Sequence, residues 1–328
     1  MNTFGRLFRV SIFGESHGSS VGVLIDGVPA GIPLSKDDFR KDLLRRKGGK
    51  FGTTKRVEED EPVIESGVFN GYTTGAPVLI RFENKDTRSQ DYQDIRYIPR
   101  PGHADFVAFS KYKGFNDYRG GGHFSGRLTT GIVAAGVIAK KVISPMNVHA
   151  HIVEIGGYKG DFGKVLSEAF QNGDSVGGII RCVVENVPVG LGEPFFDSVE
   201  SMLSHAMFSI PGVKAIEFGI GFEGARMRGS QYNDQYESHG RTKTNNSGGI
   251  NGGITNGNEI VFRIAVRPTA SISIPQESFD MRTGEKKQLV INGRHDTCFA
   301  LRVPPVVEAM TSIVLADFKL IAQAYDVH

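Results

Sequence analysis

Ser20–Pro33 reads SVGVLIDGVPAGIP, and Ser175–Gly192 reads SVGGIIRCVVENVPVGLG. Both stretches begin as an apolar strand, pass through Val-Pro-x-Gly and lead into a helical pattern. Such an echo points to an internal pseudo-two-fold within one domain. Outward from the first copy, Leu7–Phe13 and Val21–Ile25 pattern as strands, and a helix follows with Ser35 as N-cap and Asp38 three residues on. Arg45, Arg46 and Lys47 suit its C-terminal end. Pro62–Phe69 and Ala76–Phe82 read as strands, and Glu83–Asp105 as a long polar surface segment. Ser125–Ile143 reads as a buried helix whose small residues allow close packing. Outward from the second copy, Val148–Ile155, Gly178–Val184, Val213–Phe218 and Glu259–Val266 pattern as strands. Helices are expected from about Asp197 to Met207 and over Val303–Ala324. The elements mix without a regular βαβ rhythm, so the fold class is α+β.

Composition narrows the function. The chain has 328 residues and a formal net charge of +2, so no global field favours nucleic acid. Two cysteines, Cys182 and Cys298, form no CxxC pair, which points to a reducing, cytoplasmic compartment. The first residues carry charges inside their apolar run, unlike a signal peptide. No apolar run approaches the roughly 20 residues of a spanning helix, so no membrane is expected. Glycine is the unusual component, with 42 residues and no collagen period. Glycines spread through a globular chain imply tight turns and close backbone approaches.

Several glycine-flanked stretches carry titratable groups. FGESHG (Phe13–Gly18) sets His17 in a loop with little bulk. It reads either as a polar turn between strands or as a site where a ligand approaches the backbone and an imidazole moves a proton. RPGHADF (Arg100–Phe106) repeats the theme with His103. RGGGHFSGR (Arg119–Arg127) runs three glycines into a helix start carrying Ser125 and Arg127, which suits an anion or else a plain linker. TNNSGGINGG (Thr244–Gly253) offers amides for the edge of a flat heterocycle, or is a plain loop. RPTASIS (Arg267–Ser273) supplies a cation and hydroxyls suited to phosphate. GRHDTC (Gly293–Cys298) joins a cation, an imidazole and a carboxylate that can act as a base, or forms a surface charge cluster. GIGFEG (Gly219–Gly224) matches the dinucleotide fingerprint, but the polar, glycine-broken stretch after it is no helix. Together these segments share anion binding and proton transfer without an obvious metal site. A small anionic ligand and a phosphate-bearing cofactor would account for them.

The motifs also resemble one family in order and over almost the full length. GRLFRVSIFGESHG, DGVPAGIPL, SQDY, RPGHAD, YRGGGHFSGR, VPVGLGEP, RGSQ, NNSGGINGG, RPTASI and GRHD together are similar to chorismate synthase. The resemblance implies a β-α-β sandwich assembled as a homotetramer. It implies a 1,4-anti elimination of phosphate from 5-enolpyruvylshikimate 3-phosphate to give chorismate, with reduced FMN required and no net redox change. By the same resemblance His17 protonates the departing phosphate, His103 protonates the reduced flavin, and Asp296 works with flavin N5 in removing the C6 proton. Arg46, Arg100, Ser125 and Arg127 match substrate-binding positions. A ligand with two carboxylates and a phosphate requires several cations, and arginine's rigid fork suits each group. His123, Phe124, Ser125, Asn245, Asn246, Gly252, Arg267, Pro268, Thr269, Ala270, Ser271 and Arg294 match flavin-binding positions.

The chain departs from the family pattern in places. HFSGR (His123–Arg127) stands where many members read RSSAR, and Arg267 replaces a common lysine. Lys50 stands near a common arginine, which leaves open whether Arg46 and Lys50 serve substrate or nicotinamide. There is no room for the flavin-reductase domain of bifunctional members. Reduced FMN is then expected from an external reductase or reductant, with NADPH a candidate. A flavin-dependent oxidoreductase on the same scaffold is the alternative enzyme. A nucleic-acid binder is disfavoured by the charge balance.

Overall fold

The computed structural model describes residues 1–87, 96–291 and 295–325. SQDY and Arg294 lie outside the described residues. In the first half come β1 (Thr3–Phe4), β2 (Arg9–Gly14), β3 (Ser20–Asp26), α1 (Asp37–Arg46) and β4 (Val63–Ser66). The short hairpin β5 (Val68–Phe69) and β6 (Tyr72–Thr73) follows, then β7 (Val78–Glu83), α2 (Asp105–Lys111) and α3 (Thr129–Ile143). The second half opens with β8 (Asn147–Ile155), α4 (Gly163–Gln171), β9 (Gly178–Glu185), α5 (Val199–Phe208) and β10 (Val213–Phe218). After the short α6 (Gly229–Tyr232) come the hairpins β11 (Tyr236–Ser238) with β12 (Arg241–Thr242) and β13 (Ile250–Asn251) with β14 (Ile254–Thr255). The chain closes with β15 (Ile260–Val266), the hairpin β16 (Gln276–Phe279) and β17 (Lys286–Leu289), and α7 (Pro304–Tyr325).

The first sheet has the order β1-β2-β3-β7-β4 and the second β10-β15-β9-β8. Neighbouring strands in both are antiparallel. Apart from β1, the two sheets share one strand order, β2-β3-β7-β4 matching β8-β9-β15-β10, with the third strand in sequence at an edge, although α4 stands between β8 and β9 where β2 and β3 join directly. α3 lies on the first sheet, α7 on the second, and the two helices pack together between them. Small residues make that contact close. A β-carbon on Gly136 of α3 would stand 2.2 Å from the Ala309 Cβ of α7, and one on Gly131 would stand 2.8 Å from the Gly22 carbonyl of β3. Along β3 the even-sided residues differ from the odd: Val21, Val23 and Ile25 are buried against α3, while Leu24 is exposed.

Buried carboxylates of α7 tie distant segments to this core. Asp317 accepts the backbone N–H groups of Arg6, Leu7 and Phe8. That is why β2 begins at Arg9 rather than at the expected Leu7. Glu308 takes both Arg45 nitrogens at 2.7 Å, Lys140 Nζ at 3.0 Å and the Ala150 N–H. It thereby joins α1, α3 and β8.

Other expectations are corrected in detail. Pro62–Phe69 is broken at Gly67, whose φ of +82° bends the chain between β4 and β5. Helix α1 starts at Asp37, and Ser35 donates both its N–H and its hydroxyl to the Asp38 carboxylate instead of capping with its oxygen. The stretch Ser125–Ile143 opens as a 3-10 turn over Gly126–Leu128. Ser198, not Asp197, caps α5 by accepting the Ser201 N–H. After β10, as the polar, glycine-broken sequence led one to expect, Gly221–Arg226 forms a 3-10 turn and not the α-helix a dinucleotide fingerprint needs. Among the described residues no helix is long and apolar enough to cross a membrane.

Candidate active site

Loops from both halves of the chain converge on one cleft of about 270 Å³. The β2–β3 loop brings Ser16 and His17, and the end of α1 brings Arg46. The charged loop after α1 brings Thr54, Arg56 and Glu58. His103 arrives just before α2, and Gly120–Arg127 forms part of the wall. Arg267–Ser271 leaves the end of β15, and Asp296 and Arg302 precede α7. The cleft therefore brings together His17, His103 and Asp296, which lie far apart in sequence. It also brings in Arg46, Phe124, Ser125, Arg127, Arg267, Pro268, Thr269, Ala270 and Ser271.

Other sequence-assigned residues stand elsewhere. Arg100 does not line the cleft; it borders a smaller cavity behind it. His123 contacts the Gly14 carbonyl at 2.8 Å and Asn2 Oδ1 at 3.1 Å, away from the lining. Asn245 holds its own loop through the Glu259 carbonyl and the Gly249 N–H. Asn246 donates to the Tyr232 carbonyl, and Gly252 sits in the β13–β14 turn.

The glycines of the Arg119–Arg127 loop seat the two histidines. A β-carbon at Gly120 would stand 2.6 Å from His17 Cδ2, and one at Gly121 would stand 3.4 Å from His103 Cε1. Both glycines have positive φ, +58° and +80°, where an L side chain is strained. At Gly120 the His17 ring leaves no room for a Cβ, whereas at Gly121 a Cβ would only touch the His103 ring at van der Waals distance and the positive φ is the constraint.

Five guanidinium groups line the cleft: Arg46, Arg56, Arg127, Arg267 and Arg302. Among their counterions Asp296 was legible as a site residue, but Asp60 and Glu58 were not. Asp60 is buried and joins Arg46 Nη2 at 2.8 Å and Arg127 Nη1 in a close pair. Burial opposes its charge, but Arg46 and Arg127 outweigh that and hold its carboxyl below the usual range. Burial pushes Arg46 down to about 10, so it stays charged at neutral pH. Arg56 donates to Ser16 Oγ at 2.8 Å and pairs with Glu58 at 2.7 Å, which anchors the FGESHG loop. Arg302 reaches both oxygens of Asp296, at 3.3 and 3.2 Å, and the Thr54 N–H donates to the same carboxylate at 2.9 Å. Arg56, Glu58 and Asp60 sit in a loop whose sequence announced only charge and glycine, so nothing marked their partners.

Burial lowers the basicity of His103, and Arg100 adds to this against the pull of Asp105. Burial also lowers His295. Arg46 Nε, Thr269 Oγ1 and His295 Nε2 are buried without a hydrogen-bond partner among the described residues and belong to residues lining the cleft. Phe124 and Phe299 add apolar surface to it. Cys182 is buried and pushed up to about 12 by that burial, far from a thiolate nucleophile. No group of three or more candidate metal-ligating side chains occurs among the described residues.

The chorismate synthase family model matches residues 8–320. A chorismate synthase of Chitinophaga pinensis is 60% identical over 325 residues, covering 98% of each chain. One from Thermococcus gammatolerans is 47% identical over 350 aligned positions, again covering 98% of each chain. A crystal structure of chorismate synthase superposes with a TM-score of 0.75 at 27% identity, covering 97% of this chain and 93% of that one. With the family model spanning nearly the whole chain and close relatives matching end to end, the chain belongs to the chorismate synthase family.

Proposed function

We propose that the described cleft is where the family's lyase reaction takes place: elimination of phosphate from 5-enolpyruvylshikimate 3-phosphate to give chorismate, in aromatic amino-acid biosynthesis. The observation that carries this is the convergence of His17, His103 and Asp296 in one cleft lined by five arginines. The substrate's two carboxylates and phosphate need that much positive charge.

The residues also fit the flavin that the family requires. Phe124 and Phe299 offer apolar surface for a flat ring, the Arg267–Ser271 segment offers a cation and hydroxyls for a phosphate tail, and unpartnered polar atoms of Arg46, Thr269 and His295 border the space between. Reduced FMN, when bound there, supplies electron density to the allylic centre without net redox change.

The side chains then divide the work. The phosphate leaves C3 with the bonding pair, and His17, as imidazolium, donates a proton to it. Asp296 stands to take the C6 proton, oriented by Arg302 and Thr54. The C6–H pair becomes the C1–C6 double bond while the ring's C1–C2 double-bond pair moves to C2–C3, so the step balances as substrate giving chorismate and phosphate. Arg46 and Arg127, fixed by Asp60, bind anionic groups of the substrate with Ser125 beside them. His103 exchanges a proton on the flavin side, with Arg100 acting behind it.

The same reading covers the rest of the chain. Residues 1–328 form a single domain of sandwich type, and its halves are related by an internal pseudo-two-fold. The repeated chain order through the two sheets supports this. The protein acts in the cytoplasm as a homotetramer. Reduced FMN comes from an external reductase or reductant, with NADPH as a candidate electron source. Neither nucleic acid nor membrane takes part.

The test is an anaerobic assay with dithionite-reduced FMN and the substrate. Chorismate without net flavin oxidation is expected. Stoichiometric NADPH oxidation with product would mark an oxidoreductase instead, and no product from folded, flavin-loaded protein would overturn the reading.

A further inference from the structure

The RPGHADF segment folds back on itself before α2. The His103 N–H donates to the Arg100 carbonyl at 3.1 Å, which brings positions 100, 103 and 105 together. Asp105, the first residue of α2, then gathers four contacts. Its Oδ2 accepts from the Arg100 N–H at 3.0 Å and from Arg100 Nε at 2.7 Å. Its Oδ1 accepts from Arg100 Nη2 at 2.8 Å and lies 2.7 Å from His103 Nδ1.

This geometry settles a proton. Burial opposes the charge of Asp105, but its bonds to Arg100 and His103 hold it well below the usual carboxylate range. An ionised carboxylate has no hydrogen to give, so the hydrogen in the 2.7 Å contact sits on His103 Nδ1. Arg100 Nη2 lies 3.1 Å from the same ring nitrogen. Both are donors, so they share Oδ1 and do not bond to each other. In the neutral ring the lone pair is then on Nε2. A β-carbon at Gly121 would stand 3.5 Å from Nε2, so that edge of the ring faces the glycine loop that borders the cleft.

We propose that Asp105 is the positioning residue of His103: it fixes the Nδ1–H tautomer and leaves Nε2 towards the cleft as the atom that accepts a proton. His103 therefore receives a proton at Nε2 before it can give one. The tautomer stands independently of the reaction, and its catalytic consequence rests on the role given to His103 above.

Long-range ¹H–¹⁵N spectra of the FMN-loaded protein test this, with the His103 signals assigned by their loss in His103→Gln. The expected wild-type pattern is a protonated Nδ1 and a bare Nε2. In Asp105→Asn the single amide oxygen goes to Arg100, and the amide nitrogen donates to Nδ1, so the tautomer flips to Nε2–H. Turnover should fall about 10²-fold, in the range of a misplaced acid–base group, while substrate KM and FMN affinity stay within about twofold. Asp105→Glu should restore the Nδ1–H tautomer in part.

A wild-type Nε2–H tautomer would overturn the proposal, even should the variants fail to fold. So would an unchanged tautomer in Asp105→Asn. A flip with normal turnover would support the positioning and overturn the role of His103 in the reaction.

Discussion

Gly120 lies directly against the His17 ring: a β-carbon there would stand 2.7 Å from His17 Nε2 and 2.6 Å from Cδ2. With φ at +58°, the position is also one an L residue enters at a cost of about 1–2 kcal/mol. Gly120→Ala should therefore displace the imidazole and lower stability by about that amount. Because misplacement by about 1 Å can cost 10²-fold in rate, kcat should drop by about two orders of magnitude. FMN affinity, read by fluorescence titration, should stay within about threefold. Normal kcat in this variant would separate His17 from the leaving group.

Asp60 neutralises part of the charge of Arg46 and Arg127 in a buried setting. Removing one partner of such a cluster leaves uncompensated charge and costs about 3–5 kcal/mol. Asp60→Asn should lose that much stability in urea titrations and raise substrate KM, since the two guanidiniums lose their common anchor. Inorganic phosphate should then stabilise the variant more than the wild type by replacing the missing anion. Equal phosphate effects on both proteins would refute a shared counterion.

Arg302 and the Thr54 N–H hold the Asp296 carboxylate from one side. Asp296→Asn is near-isosteric and should abolish most turnover while flavin binding persists. Arg302→Gln should reduce kcat by a smaller factor. Adding Arg302→Gln to Asp296→Asn should change the rate little, because groups that act as a unit are not additive. Full additivity of the two losses would show that Arg302 acts separately.

The protonation states predict an acid-sensitive fold. Burial lowers His103 and His295 in the native state, so the unfolded chain binds more protons just below its ordinary histidine pKa of about 6.5. Stability should fall as pH drops below that value. Asp60, Asp105 and Glu308 are also held low, and their contribution, full above about pH 4.5, is lost as pH falls towards their folded values. Urea midpoints from pH 8 to pH 3 should decline in two stages. His103→Gln with His295→Gln should flatten the first stage; a flat wild-type curve between pH 6.5 and 5 would contradict it.

Much of this was legible locally. Burial alternates along β15, which the sequence marked as a strand, and the small residues of α3 announced a close packing that the fold supplies with α7. The motif residues His17, His103 and Asp296 were recognisable because each stands in a distinctive short sequence. Gly67, by contrast, broke an expected strand because a single positive-φ glycine outweighs the strand propensity of its neighbours. Asp317 delayed the start of β2 through bonds to residues more than 300 positions earlier, which no local pattern can report.

By itself the sequence determined which segments become strands and helices, because side-chain periodicity and turn chemistry act over a few residues. It also identified the family, because ordered motifs carry its chemistry. Tertiary structure alone decided that Asp60 serves two arginines, that Arg302 holds Asp296, and that Gly120 and Gly121 pass between two histidines. The physical reason is range. A charge finds its counterion, and a ring its space, by where the folded backbone brings them, and that distance is not written in the spacing along the chain.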